Sequence, residues 1–256
     1  MACVWAFLSG KGGTGKSTVA LCAAAGLALA GQRAVLVDAD AGVRNLDMML
    51  GMENKIVFDM LDVIEEEATL GQALTAVKDV PGLTLLCASQ TRDPGAMTGD
   101  AFHRLLQMLS RRFEHVVVDC PTGIGPIAQE AMASSDEAVI VTTPDDIAMR
   151  DADRTAGLIS QRGGARTRVV VNRVRGDYVK RGLQYPPATV AASLDAKLLC
   201  AVPEDEEILQ CTLQRVLPLR GSGEGAKALS RIAAQMLGEA ESAPEKKGLF
   251  ARLTRS

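Results

Sequence analysis

Two lysines stand in one short glycine-rich run, SGKGGTGKST (9–18). Lys16, followed by Ser17, satisfies GxxxxGK[ST] over residues 10–17, between the apolar run CVWAFL and an alanine-rich stretch of helical character. A strand before and a helix after are the context this motif requires. The chemistry it points to is phosphate binding. Glycines let successive backbone N–H groups curl around phosphate oxygens, and the following helix adds the positive end of its dipole. Lys16 then neutralises the β- and γ-phosphates while the Ser17 hydroxyl ligates Mg²⁺. The residues expected to cradle ATP are Gly10, Lys11, Gly12, Gly13, Thr14, Gly15, Lys16, Ser17 and Thr18. The motif has no need of Lys11, so its presence asks for another reason.

Carboxylates at the ends of apolar runs complete the expected site. VVVDCP ends in Asp119, the pattern of a carboxylate that supports Mg²⁺ from a strand end. VLVDAD ends in Asp38 and Asp40, which can support the metal and orient a water. On residue type alone each could instead cap a turn, and Lys11 could be a solvated loop residue. A guanine-reading NKxD sequence is missing: NKIV (54–57) lacks the aspartate and NRVR (172–175) does not match. Adenine is therefore favoured over guanine.

Elements that could position these groups are legible as apolar runs. Strands are expected at 3–9, 34–40, 83–89, 115–120, 137–143, 168–174 and 197–202. Their near-continuous valine and leucine content suits parallel strands covered on both faces. Between them lie segments of helical period, such as Phe102, Leu105, Leu106 and Leu109, or Leu229, Ile232, Ala233, Met236 and Leu237. The alternation predicts an α/β fold, a doubly wound, mostly parallel sheet flanked by helices. One domain is expected over 1–237, a flexible linker over 238–244, and a short amphipathic helix over 245–256.

Composition narrows the function classes. At 47% hydrophobic and 23% charged residues, the 256-residue chain reads as soluble and globular. A net charge of −3 gives no global attraction for nucleic acid or anionic lipid, so such affinity must be local. Six scattered cysteines without a CxxC pair are expected to be small buried apolar residues rather than disulfides or metal ligands. No apolar run reaches the ~20 residues of a membrane span, and no signal peptide precedes the glycine loop, which points to the cytoplasm.

With these residues in view, KGGTGKS with its leading Lys11 resembles the deviant Walker A motif of the ParA/MinD ATPases. The septum-site-determining MinD branch is the closer match, through DADAGVRNLDMMLG (38–51), ASQTRD (88–93), RDADR (150–154) and VPEDEEIL (202–209). These occur in the family's order across essentially the whole chain. The resemblance implies a nucleotide-sandwich homodimer formed with ATP, in which Lys11 crosses to the partner's phosphates and acts as a finger in trans. It implies that Asp40 positions the attacking water and Asp38 supports the metal shell. Asp151 would meet the opposing Lys11, and Asn172, Pro203 and Asp205 would hold the adenosine. Arg44, Arg150 and Asp153 would lie on the surface used by partners, namely the division inhibitor MinC and a topological factor such as MinE. Read without the family, RDADR is an exposed helix face of i,i+3 ion pairs. Thr14 stands where related sequences often carry valine, with little change expected.

The C-terminal EKKGLFARLTRS reads as a small basic amphipathic helix. At about 100° per residue, Leu249, Phe250 and Leu253 share one arc, while Lys247, Arg252 and Arg255 lie opposite and Lys246 nearer the apolar side. By the same resemblance it lies on an anionic membrane. Burying three apolar side chains at ~1.5–3 kcal/mol each, plus about 1 kcal/mol per basic residue, stands against ~1–2 kcal/mol per ordered residue. One tail should bind weakly; two on a dimer gain through effective concentration. The implied function is an ATPase switch that places the division septum by recruiting a division inhibitor to the membrane. Two alternatives stay open: a regulator of flagellar number of the same type, or a partition ATPase binding DNA. For the second, Arg162, Arg166, Arg168, Arg173, Arg175, Lys180 and Arg181 could form a basic surface, though a solvated face and little DNA binding are expected.

Overall fold

The structure, a computed structural model, describes residues 2–40, 45–89, 97–162 and 165–238. The chain runs β1 (Cys3–Leu8), α1 (Lys16–Leu29), β2 (Ala34–Asp38), α2 (Leu46–Met49), α3 (Met60–Ile64), α4 (Leu70–Ala73), β3 (Thr75–Ala76) and β4 (Leu83–Leu86). It continues through α5 (Gly99–Ser110), β5 (His115–Asp119), α6 (Pro126–Ala133), β6 (Glu137–Thr142), α7 (Asp146–Arg162) and β7 (Arg166–Val174). The last elements are α8 (Gly176–Lys180), α9 (Pro187–Ser193), β8 (Lys197–Pro203), α10 (Glu206–Leu213), a 3-10 turn at Pro218–Arg220 and α11 (Glu224–Met236).

The strands form one sheet in the order β3-β4-β2-β5-β1-β6-β7-β8. All neighbours pair parallel except the short β3, which pairs antiparallel with β4. The central strands are buried on both sides, and alternate residues enter two separate cores. Val4, Ala6 and Leu8 join the core under α3, α5, α6, α7 and α9, while Trp5 and Phe7 join the core under α1 and α11. Two-sided burial is why these strands are uniformly apolar rather than alternating.

The order reverses direction around β1: the chain moves from β1 out to β2 on one side and later to β6 on the other. Open α/β sheets place ligands at such a switch point, outside the carboxyl ends of the strands. The register sets Phe7 beside Asp119 and Asp38 beside Asp119, so β1, β2 and β5 end together. No helix of the described residues is long and apolar enough to cross a membrane. The expected linker from residue 239 and the amphipathic helix lie outside the described residues, as does Arg44.

Candidate nucleotide site

The glycine loop leaves β1 at the switch point and opens α1. Gly15 precedes the helix with φ 87°, a left-handed conformation suited to glycine, and a Cβ there would collide with the Asn172 amide. Gly10 is equally constrained from the other side, because a Cβ would lie 2.5 Å from the Asp151 carbonyl oxygen. The first turn of α1 carries no acidic residue, so its free N–H groups and dipole are open to an anion. On the sheet side, the Ser9 carbonyl accepts the Gly123 N–H at 2.9 Å and ties the loop to the segment after β5.

Lys16 is buried and its Nζ lies 2.5 Å from Asp119 Oδ1. Asp38 accepts the Asp40 N–H at 3.2 Å and the Leu46 N–H at 3.3 Å, which turns the chain out of β2. Burial, and then the neighbouring Asp119, push the Asp38 carboxyl up to about 7, although both N–H bonds and Lys16 oppose this. Burial raises Asp40 as well, with Lys16 pulling the other way. Three carboxylates thus crowd around one lysine. Negative charge in excess, hard oxygen donors and the Ser17 hydroxyl on α1 suit a Mg²⁺ ion carrying phosphate.

A cleft of about 560 Å³ opens over this group. Residues 13–18 and Asp40 form one end; Met48, Thr212, Leu213 and Arg215 form part of the rest. Sequence reasoning gave none of the last four a role: Met48 lies in the DADAGVRNLDMMLG stretch on α2, and Thr212, Leu213 and Arg215 lie past VPEDEEIL, in α10 and the turn after it.

Lys11 points elsewhere. It lies on the opposite side of the loop, in a second recess with Thr143, Asp145, Arg173 and Glu204. Its Nζ is 3.5 Å from Asp145 Oδ1, and both side chains are more than a third exposed. Burial pushes the Asp145 carboxyl up, but the Thr143 hydroxyl at 2.5 Å, the Ala148 N–H at 3.1 Å and Lys11 together hold it below the ordinary carboxylate range. Asp145 also went unread, although an acid just before a helix signals a capping residue.

The remaining expected residues sit as follows. Asn172 donates from Nδ2 to the Thr14 carbonyl at 2.8 Å and accepts the Arg173 N–H at 2.9 Å, clamping the loop from β7. The β7–β8 ladder slips here, and Arg173 takes a left-handed φ of 56°. Pro203 ends β8 opposite Val174, which brings the turn at 203–205 beside Asn172. The Asp205 carboxylate is committed to backbone N–H groups, Glu207 at 2.9 Å and Gly225 at 2.9 Å, so it holds the starts of α10 and α11. Asp151 is partly buried against Gly10, while Arg150 and Asp153 are exposed on α7. The i,i+3 ion pairs that RDADR suggests by itself are not formed among the described residues.

The arginines considered for DNA are dispersed by their partners. Arg166 and Arg168 clamp buried Glu137 at 2.6 and 2.8 Å, Arg175 pairs with Asp177 at 3.1 Å and stacks on Tyr178, and Arg162 bonds Gln129. Cys22, Cys87, Cys120 and Cys211 are buried, with Cys3 and Cys200 half-buried.

Comparison with known proteins agrees with this architecture. The ParA family model, described as NUBPL iron-transfer P-loop NTPase, matches residues 1–237. The septum site-determining protein MinD of Helicobacter pylori is 36% identical, over 99% of this chain and 98% of that protein. The MinC:MinD cell division protein complex of Aquifex aeolicus superposes with a TM-score of 0.84 at 32% identity, over 93% of this chain and 97% of that one. Septum site-determining MinD of Pyrococcus horikoshii, complexed with Mg-ADP, gives 0.82 at 26% identity, over 94% and 100%. The chain belongs to the MinD family of septum-site-determining proteins, ATPases of the ParA-type P-loop class.

Proposed function

We propose that the protein is an ATP-driven dimerising switch that attaches to the membrane and brings a MinC-type division inhibitor there, controlling where the septum forms. The observation that carries this reading is the division of labour between the two lysines. Lys16 is buried at 5% exposure beside Asp119, whereas Lys11 is held on the outer face of the same loop by an exposed partner.

In this reading residues 10–18 bind the triphosphate and Lys16 neutralises it, turning from Asp119. Ser17, Asp38 and Asp119 would hold Mg²⁺, which supplies Lewis-acid charge neutralisation when bound. Asp40 orients the attacking water. Asn172, with Pro203 and the turn that Asp205 fixes, frames the adenosine. Lys11 reaches the partner's phosphates and meets the partner subunit's Asp151, so the stabilising cation arrives only in the dimer. Arg44, Arg150 and Asp153 form the surface for MinC and for a MinE-type topological factor. Lys246, Lys247, Leu249, Phe250, Arg252, Leu253 and Arg255 form a weak lipid foot that two subunits make effective.

ATP-dependent sedimentation with anionic liposomes tests the coupling. Wild type should sediment with ATP; K11A should bind nucleotide yet neither dimerise nor sediment; a chain ending at Ala243 should dimerise but stay in solution. Equal sedimentation of wild type with and without ATP would overturn the switch. Sedimentation of the shortened chain would overturn the role of the tail.

A further inference from the structure

The chain carries a net charge of −3, so any attraction for anions other than the nucleotide has to be local. One recess concentrates positive charge against that balance. It holds about 250 Å³ between the segment after α2, the β3–β4 connection and the turn after α10. Buried Val80 and Leu217 line its apolar part, and Lys55, Lys78, Arg215 and Arg220 supply the charge.

These cations are incompletely compensated. Arg215 Nη2 pairs with Glu53 Oε1 at 2.7 Å, and Asp79 is the acidic side chain on the lining. Arg220 is aimed by a neutral group, its Nη2 donating to the Asp79 carbonyl at 2.5 Å. Lys55 and Lys78 form no ion pair among the described residues. Arg215 takes a left-handed φ of 58° as the residue that closes α10, where the Val216 N–H returns to the Cys211 carbonyl at 2.9 Å and fixes the backbone from which the guanidinium extends. Two planar guanidinium forks and two mobile ammonium groups around a small recess match the several oxygens of phosphate better than a single carboxylate.

We propose that this recess binds a small, multiply charged, phosphate-bearing anion at a site separate from the glycine loop. Arg215 also lines the nucleotide cleft, so the two sites share one wall. The phosphate could come from a free metabolite or from a lipid headgroup.

The test uses the full chain with saturating Mg-ADP, so that the glycine loop is already filled. Inorganic pyrophosphate is then titrated calorimetrically at low and physiological ionic strength, and soluble glycerophosphoglycerol is titrated in parallel. One saturable site is expected, weakened by salt and weakened at least about tenfold by K78E and by R220A. Mg-ADP affinity in K78E should stay within about twofold of wild type, which shows that the fold and the loop are intact. Pyrophosphate binding alone assigns the site to a free anion; comparable K78E-sensitive binding of the headgroup assigns it to lipid. Absence of saturable binding, or binding that K78E and R220A leave unchanged, overturns the proposal.

Discussion

Both edges of the sheet hold a buried carboxylate, and the two are treated in opposite ways. At the amino edge, Glu137 opens β6 and receives two guanidinium groups, with Arg166 and Arg168 bonding both of its oxygens at 2.6–3.1 Å. At the carboxyl edge, Asp38, Asp40 and Asp119 face Lys16, and burial raises the first two carboxyls. Burial also works against Glu137, but its arginine bonds more than offset this and lower its carboxyl. The amino edge is electrostatically finished; the carboxyl edge is completed by what it binds. A buried carboxylate alone does not mark a site, but an excess of carboxylate over cation at a strand-order reversal does.

K16A should give the largest effect. It removes the cation of the crowded edge and leaves Asp119 buried and unpaired, a loss of about 3–5 kcal/mol. Mg-ADP affinity should fall about a hundredfold or more by calorimetry, since charge-assisted contacts to phosphate are lost. E137Q is the matching change at the finished edge. It should cost about 3 kcal/mol in denaturant unfolding, the low end for a buried pair because Arg166 is largely exposed. Mg-ADP affinity should not move. A drop in affinity would show that the edges are coupled.

The edges also differ in the sign of their pH dependence. Glu137 is lowered, so its contribution is present above its unfolded value of about 4.5 and is lost as pH falls through the folded one. Asp38 is raised from 3.8 to about 7, so its contribution is full below 3.8 and is lost as pH rises through about 7. D38N should therefore stabilise the nucleotide-free protein at pH 8, on the order of 1–3 kcal/mol, with the gain shrinking toward pH 4. It should weaken Mg-nucleotide binding at the same time. Thermal unfolding of D38N and E137Q across pH 4–8, without nucleotide, separates the two slopes.

How much of this was legible depended on whether the signal lay in one segment. Seven strands read directly, because each carries an apolar run, fully buried in the central strands and shorter or only partly buried in β7 and β8. The two-residue β3 did not, since Thr75 and Ala76 at the sheet edge carry no such run. Strand β2 was expected to reach residue 40 but ends at Asp38, whose carboxylate takes the Asp40 N–H and turns the chain. The glycine loop, Asp38 and Asp119 were legible because short motifs carry them. The far wall of the cleft was not, because Leu213 and Arg215 meet Met48, itself within a quoted motif, only through the fold. Asn172 was named through family resemblance for adenosine; its hold on the Thr14 carbonyl depends on a bulge that no periodicity announces.

The smallest effect belongs to the exposed pair of Lys11 and Asp145, on which the proposed switch turns. Lys11 and Asp145 sit 3.5 Å apart with side chains 35% and 44% exposed, a geometry in which an ion pair contributes about 0–1 kcal/mol. D145N should change unfolding free energy by less than about 1 kcal/mol and Mg-ADP affinity by less than about twofold. In the proposed dimer, such a weak hold would let Lys11 leave one subunit for the other at little cost. Lys16 differs in kind, since both it and its partner Asp119 are buried within one subunit. If K11M, which leaves the Thr143 and Ala148 bonds to Asp145 in place, instead destabilised the fold by about 3 kcal/mol, as breaking a buried pair does, Lys11 would be a fixed structural cation. The contrast between the two lysines would then have no basis in the strength of their contacts.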